Sequence, residues 1–142
     1  LSSDRITTPD AKSFVPASSM DELFSRSDVV IVAVTDNFAL NYNLISSKLL
    51  EKHSLHALIN ISRDYIVSMP CVINALEADR LGFFYSDFIN TTNLSLELVS
   101  KFHSSGRMLL LPHMGGCTTY SWRRSLCYIL DHFHSIIASQ HD

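Results

Sequence analysis

Three charged or titratable residues with catalytic potential lie at the ends of three apolar runs of the sequence: Arg63, Asp87 and His113. An arginine can donate two parallel, charge-assisted hydrogen bonds to a carboxylate. An imidazole can exchange a proton with a hydroxyl or a carbonyl oxygen. These residue types therefore indicate acid–base chemistry on a small substrate that carries a carboxylate.

The sequence around His113 is suited to a ligand-binding loop. Pro112 ends the preceding apolar run, and Gly115 and Gly116 allow the backbone to pass close to a bound molecule. A single histidine in such a loop is more often structural, and an isolated arginine at a strand end often forms an ion pair. Asp87 taken alone would cap a turn. Residue type by itself leaves these interpretations open.

The elements that must position these residues are visible as apolar patterns. Four runs have the length of strands, at residues 29–34, 57–61, 83–88 and 108–111, and helical spacing occurs at 20–25, 44–52, 70–80 and 119–139. Residues 90–105 favour a loop followed by a short helix. Apolar strands alternating with helices predict an α/β fold with a doubly wound parallel sheet. Because ligands bind at the carboxyl ends of such strands, we expect Arg63, Asp87 and His113 to converge there.

Composition and a helix-capping pattern predict the structure of the first 25 residues. Residues 1–19 are rich in Ser, Thr and Pro and are expected to be irregular. Ser19 and Glu22 have the spacing of a capping box at the start of the helix at 20–25. We therefore expect one domain over residues 1–142, in which the stretch at 1–19 is irregular.

Composition excludes several classes of function. The formal net charge of −3 gives no basis for binding nucleic acid or an anionic membrane, and no apolar run is long enough to span a bilayer. Three cysteines without a Cys-x-x-Cys pair argue against a disulfide framework and a structural zinc site. We therefore expect a cytoplasmic protein without a bound metal.

Further stretches of sequence occur with these positions in a characteristic order. They are Asp21-Glu22-Leu23-Phe24 and Ser27-Asp28-Val29-Val30, then Leu58-Ile59-Asn60-Ile61-Ser62-Arg63, Ala75-Leu76-Glu77 and Arg80-Leu81-Gly82, Asp87, and Leu111-Pro112-His113-Met114-Gly115-Gly116. On the basis of these stretches, residues 20–133 resemble the nucleotide-binding domain of the D-isomer-specific 2-hydroxyacid dehydrogenases. The resemblance implies a Rossmann-like fold and hydride transfer between NAD(H) or NADP(H) and C2 of a 2-hydroxy or 2-keto acid.

The resemblance also assigns roles to individual residues. Arg63 would hold the substrate carboxylate and polarise its C2 oxygen, and His113 would give or take the proton there. Asp87 would contact the nicotinamide carboxamide, and Asp4 the ribose hydroxyls of adenosine. The complete set of expected cofactor-binding residues is Asp4, Val34, Thr35, Ser62, Asp87, Gly115 and Gly116. A homodimer is expected for the complete protein.

The chain departs from the family pattern near the expected site. Thr92 stands where a glutamate usually pairs with the histidine, so the carboxylate that would stabilise the imidazolium is absent there. Asp64 replaces the usual glycine after Arg63 and adds a negative charge beside it. The usual proline after the first strand is absent, since the sequence there reads Val34-Thr35-Asp36.

The phosphate-binding motif of a dinucleotide fold is absent from the 142 residues. No Gly-x-Gly-x-x-Gly occurs, and Gly115-Gly116 is the only pair of adjacent glycines. We therefore expect an incomplete domain that lacks the first βαβ unit and the substrate domain. The strand at 29–34 would then have an unpaired apolar edge, and the isolated chain is expected not to bind NADH measurably.

Three functions remain as hypotheses. The first is the NAD(P)-dependent oxidoreductase itself, present as a fragment. The second is a degenerate family member that binds a dinucleotide or a protein without turnover, which Thr92 and Asp64 favour. The third is a flavodoxin-like or receiver-like module, for which Thr35-Asp36 is a poor substitute for the required acidic cluster or phosphate loop.

Overall fold

The computed structural model describes residues 15–88 and 95–138, with side chains described up to residue 131. Six helices, four strands and one 3₁₀ turn at Asp64–Ile66 are found in these residues. The helices are α1 (Met20–Ser25), α2 (Phe38–Asn41), α3 (Ser47–Lys52), α4 (Met69–Glu77), α5 (Leu96–Ser104) and α6 (Thr119–Ala138). The strands are β1 (Val29–Val32), β2 (Leu55–Asn60), β3 (Leu81–Ser86) and β4 (Met108–Leu110).

The four strands form one parallel sheet in the order β1-β2-β3-β4. Asn60, the last residue of β2, pairs with Val32 of β1 and Ser86 of β3, and Ser86 pairs with Leu110 of β4. The four strands therefore end level with one another. Loops that begin at this common edge carry the candidate catalytic residues.

The main core lies on one face of the sheet. Buried residues alternate along β1, where Val30 and Val32 are buried and Val29 and Ile31 are exposed. The buried face packs against side chains from four helices, which include Phe24, Leu50, Leu76 and Phe102. The opposite face is apolar and partly exposed, and the described side chains of α6, residues 119–131, include no buried one. The described helices therefore cover one face of the sheet.

The α/β class and the parallel sheet are confirmed, and β1 is the first strand in the order of the four described strands. The helix at 20–25 is also confirmed, since the Ser19 hydroxyl accepts a hydrogen bond of 3.1 Å from the amide of Glu22. A short helix does precede Gly106, as expected, whereas residues 89–94 lie outside the described part of the chain.

Several predicted boundaries are wrong for local reasons. The first strand ends at Val32 because the amide of Val34 donates to the Ser62 side chain instead of continuing the ladder. Helix α3 begins at Ser47 because Ile45 forms a parallel bridge with Val67. Helix α2 was not predicted, although Asn37 caps it with a side-chain hydrogen bond to the amide of Leu40.

None of the described helices is long and apolar enough to cross a membrane. Within the same residues, no group of three or more His, Cys, Asp or Glu side chains is arranged to hold a metal ion.

Candidate active site

A cleft of about 470 Å³ lies at the carboxyl edge of the sheet. Its lining residues are Arg63, Asp64, Phe88, Pro112 and His113. They come from the loops after β2, β3 and β4, which are adjacent because these strands are adjacent in the sheet. The predicted convergence of Arg63 and His113 is therefore observed, with an apolar wall between two basic side chains.

Asp87 holds the loop that carries His113. Its carboxylate is buried, with 6% of the residue exposed, and accepts hydrogen bonds from the amides of Met114 (2.9 Å, Oδ1) and Gly115 (2.7 Å, Oδ2). His113 itself has a φ of +55°, a conformation that costs non-glycine residues about 1–2 kcal/mol. The two bonds to Asp87 stabilise a loop conformation that is otherwise unfavourable.

Gly115 is required by this arrangement. A Cβ built on Gly115 would lie 2.6 Å from Oδ2 of Asp87, closer than side-chain carbons and carboxylate oxygens approach. A Cβ on Gly116 would meet no atom within 4 Å. The first glycine therefore permits the contact with Asp87, whereas the second leaves its backbone open to a ligand.

The imidazole of His113 is exposed to the cleft and packs against Phe88. The two ring centroids are 4.2 Å apart at an interplanar angle of 44°. Cζ of Arg63 lies 5.5 Å from the centroid of the same phenyl ring. Phe88 thus contacts both candidate catalytic side chains and sets their spacing across the cleft.

Arg63 is positioned by the end of β2. The side chain of buried Asn60 donates to the carbonyl of Arg63 (2.8 Å) and accepts from the amide of Ser62 (3.0 Å). The Ser62 hydroxyl donates to the carbonyl of Val32 (3.1 Å) and accepts from the amide of Val34 (2.7 Å). Sequence reasoning missed the role of Asn60; the available signal was a single amide side chain within an apolar strand.

The guanidinium of Arg63 is held by the protein on one side. Its Nε donates to Oδ2 of Asp36 (3.0 Å), and its Nη1 donates to the carbonyl of Ser62 (2.8 Å). Oδ1 of Asp36 accepts a hydrogen bond of 2.6 Å from the hydroxyl of Tyr65. The hydrogen bond from Tyr65, followed by that from Arg63, lowers the pKa of Asp36 below its ordinary value of 3.8.

The pKa of Tyr65 reports on its hydrogen bond to Asp36, the carboxylate that also accepts from Arg63. Donation to the Asp36 carboxylate raises the pKa of Tyr65 above 10.0. A raised pKa means that the contribution of Tyr65 to stability is present below its ordinary pKa and is lost as the pH rises through its folded value. The contribution of Asp36 is present above 3.8 and is lost as the pH falls through its lowered pKa.

We expect Asp36→Asn to lower the pKa of Tyr65 towards 10.0, because the negative acceptor is removed. The measurement is an ultraviolet titration of tyrosinate, with Tyr65→Phe used to assign the Tyr65 signal. A titration curve unchanged by Asp36→Asn would contradict the hydrogen bond.

The other predicted site residues lie in different settings. Val34 and Thr35 are exposed directly after β1, on the sheet edge that carries the cleft. Ser62 is buried and engaged within the protein. Asp4 and Thr92 lie outside the described residues, so their roles stay predictions, as does the contact between Asp87 and nicotinamide.

A family model for the NAD-binding domain of D-isomer specific 2-hydroxyacid dehydrogenases matches residues 2–115. The chain belongs to this family. The match extends from before the first described residue to the Asp87-anchored loop, and it includes both Arg63 and His113. A search of curated protein sequences finds no match.

Solved structures of the dehydrogenases agree with this NAD-binding domain. The chain is 26% identical to apo D-mandelate dehydrogenase from Rhodotorula graminis, with a TM-score of 0.64 over 75% of this chain and 30% of that chain. A D-isomer specific 2-hydroxyacid dehydrogenase from Lactobacillus delbrueckii ssp. bulgaricus, in an NAD-complexed form, gives 20% identity and a TM-score of 0.68, covering 84% and 41% of the two chains. A structure from Polaromonas sp. JS6 66, described as a putative D-isomer specific 2-hydroxyacid dehydrogenase, is 20% identical to this chain. Its TM-score is 0.72 over 90% of this chain and 39% of that chain.

The last two structures are only 20% identical to this chain, so their similarity shows the fold alone. This chain spans between 30% and 41% of the length of these three proteins.

The residues of this NAD-binding domain fit one end of a dinucleotide. Exposed Val34 and Thr35 and the open backbone of Gly116 offer apolar and polar contacts beside the cleft. Ser62 and Asp87 are engaged within the protein and shape this region through its backbone. The 142 residues contain no glycine-rich turn for the pyrophosphate.

Proposed function

We propose that this chain supplies the catalytic edge of an NAD-dependent oxidoreductase that interconverts 2-hydroxy and 2-keto acids. The observation that carries the proposal is the cleft at the carboxyl edge of the sheet, which is lined by Arg63, Phe88 and His113. Such a substrate requires a cation that binds its carboxylate and an imidazole that exchanges a proton with its C2 oxygen. Membership of the dehydrogenase family supports the same reaction class.

The two basic side chains have separate roles in this proposal. Arg63 has five N–H donors, and within the described part of the chain Nε and one proton of Nη1 are engaged, which leaves the other donors for a substrate carboxylate. His113 gives a proton to the C2 oxygen during reduction and takes it back during oxidation. When bound, NAD supplies or accepts the hydride at C2.

The cofactor would be held beside these groups by Val34, Thr35, Gly115 and Gly116. The left-handed backbone at His113 and the two amide hydrogen bonds to Asp87 support the proposal, because they belong to the one loop that carries both the imidazole and the glycine backbone. Val34 and Thr35 follow β1, which pairs with β2, the strand that precedes Arg63.

A substrate survey tests this function in the complete protein that carries the chain. We expect NADH to be oxidised by at least one small 2-keto acid from a panel of aliphatic and aromatic side chains. Arg63→Lys is expected to lower kcat/KM by about 10- to 100-fold, since the fork that binds a carboxylate through two hydrogen bonds is lost.

The matched control for this variant is Arg26→Lys, at an exposed ion pair with Glu22 on α1 far from the cleft. It is expected to leave kcat/KM unchanged. Intact binding of NADH without reduction of any 2-keto acid would contradict the proposed activity.

A non-catalytic function is the alternative, and one contact favours it. Asp36 already neutralises part of the charge of Arg63, which weakens the attraction for an anionic substrate. This alternative predicts binding of NADH or of a protein partner without turnover in the survey above.

The setting of the protein is part of the proposal. A net charge of −3 and three unpaired cysteines support a cytoplasmic protein that binds neither nucleic acid nor a membrane. Exposed apolar side chains on α6, among them Trp122, Leu126 and Ile129, support association of the complete protein as a homodimer. Its molar mass in solution, measured by light scattering, tests the dimer.

A further inference from the structure

The loop after β1 carries a carboxylate that contacts the expected substrate-binding arginine. Oδ2 of Asp36 accepts from Nε of Arg63 at 3.0 Å, and Oδ1 accepts from the hydroxyl of Tyr65 at 2.6 Å. Both oxygens of one carboxylate are thus engaged by side chains that follow β2. The contact joins two neighbouring loops at the edge of the sheet where the cleft lies.

Helix α2 fixes this carboxylate and its tyrosine partner. The Asn41 side chain donates to the carbonyl of Thr35 at 2.8 Å, which closes the loop that contains Asp36. The ring of Phe38 packs against that of Tyr65, with centroids 5.0 Å apart. The four-residue helix therefore anchors the loop on one side and the phenol ring on the other.

The arrangement restricts the orientation of the Arg63 guanidinium. Asp36 engages Nε, the carbonyl of Ser62 engages Nη1, and the phenyl ring of Phe88 lies 5.5 Å from Cζ. Among the described contacts, both protons of Nη2 and one of Nη1 remain available. A carboxylate that enters the cleft can therefore make its paired contact at the Nη1–Nη2 end.

We propose that Asp36, anchored by Tyr65, is a positioning residue that directs the Nη1–Nη2 end of Arg63 towards the substrate carboxylate. This inference rests on the function proposed above. It assigns a purpose to a carboxylate that would otherwise oppose the binding of an anion. Preorganisation outweighs the opposing charge here, because Asp36 is exposed and its field is weakened by water.

Three variants of the complete protein separate orientation from charge. Asp36→Ala removes the acceptor for Nε and is expected to raise KM for the 2-keto acid about tenfold, the effect of losing one charge-assisted hydrogen bond. Asp36→Asn keeps an oxygen that can accept from Nε, and its KM is expected to stay within about threefold of the wild-type value. Tyr65→Phe releases Oδ1 of Asp36 and is expected to give an intermediate KM.

The KM for NADH is expected to be unchanged in all three variants. The reason is that Asp36 and Tyr65 act on the arginine that binds the keto acid and not on the cofactor. A purely electrostatic role of Asp36 predicts the opposite pattern, in which Asn and Ala lower the KM for the keto acid equally. That pattern, or no change in either variant, would overturn the inference.

Crystal structures of the Asp36→Ala and Asp36→Asn variants provide a second readout that does not depend on turnover. We expect Arg63 to keep its rotamer in the Asn variant and to change it in the Ala variant. An unmoved Arg63 in both variants rejects the positioning role even if the wild-type protein is inactive. Inactivity on every 2-keto acid with a displaced Arg63 in the Ala variant rejects the proposed function alone.

Discussion

Replacing His113 with asparagine is expected to lower kcat by about 10²- to 10⁴-fold, the usual contribution of a positioned acid–base group. Asparagine is chosen because, like histidine, it adopts a positive φ more readily than most residues, and His113 has a φ of +55°. The loop is therefore expected to keep its conformation while the proton donor is lost. Steady-state kinetics of the complete protein with NADH and a 2-keto acid give the measurement.

The control for His113 is a histidine outside the cleft. His103 lies on α5, where its Nδ1 is 3.3 Å from the carbonyl of Met108, and His103→Gln is expected to leave kcat unchanged. The dissociation constant for NADH, measured by fluorescence titration, should be similar in all three proteins. A His113→Asn protein with wild-type kcat would show that another group transfers the proton.

Replacing Gly115 with alanine is expected to lower kcat/KM by about 100-fold and the free energy of unfolding by about 1–3 kcal/mol. The new Cβ would lie 2.6 Å from Oδ2 of Asp87, so the hydrogen bond between the Gly115 amide and Asp87 must lengthen or break. Movement of this loop displaces His113, which lies two residues earlier. Activity assays and denaturant unfolding of the complete protein measure the two effects.

Gly116→Ala is the matched control for stability, because a Cβ at that position meets no atom within 4 Å. Its free energy of unfolding is expected to stay within about 0.5 kcal/mol of the wild-type value. A double-mutant cycle of Gly115→Ala with Asp87→Ala should show strong coupling, since removal of the carboxylate relieves the clash. Equal unfolding energies for the two single glycine variants would refute the anchoring role of Asp87.

Much of the fold was predictable from local sequence patterns. The apolar residues of β1 to β4 form short runs that alternate with segments of helical spacing, a pattern typical of parallel α/β sheets. Ser19 and Glu22 mark the start of α1 through a local contact that depends on nearby residues alone. Boundaries were less accurate where a long-range contact competed, as between Ile45 and Val67, which shortens α3.

The sequence predicted which residues lie at the candidate site better than it predicted the hydrogen bonds that they form. Arg63 and His113 were expected at one edge because they follow strands of one parallel sheet, and both line the cleft. Which donors the Asp87 carboxylate binds within the protein was not predicted: its described hydrogen bonds are to the amides of Met114 and Gly115, and its expected contact with the cofactor stays a prediction. The sequence leaves such a choice open, because a carboxylate binds any donor that the fold brings within reach.

The sequence alone determined the family, the parallel sheet and the positions of the residues suited to the chemistry, because strand periodicity and motif order are properties of the chain itself. Tertiary structure alone decided that Asp36 accepts hydrogen bonds from both Arg63 and Tyr65, that Phe88 lies between the two basic side chains, and that Gly115 must lack a side chain. These features depend on side chains from different loops meeting at distances of a few ångströms. Their geometry is set by the packing of α2 and by the buried carboxylate of Asp87, which bring together residues remote in sequence.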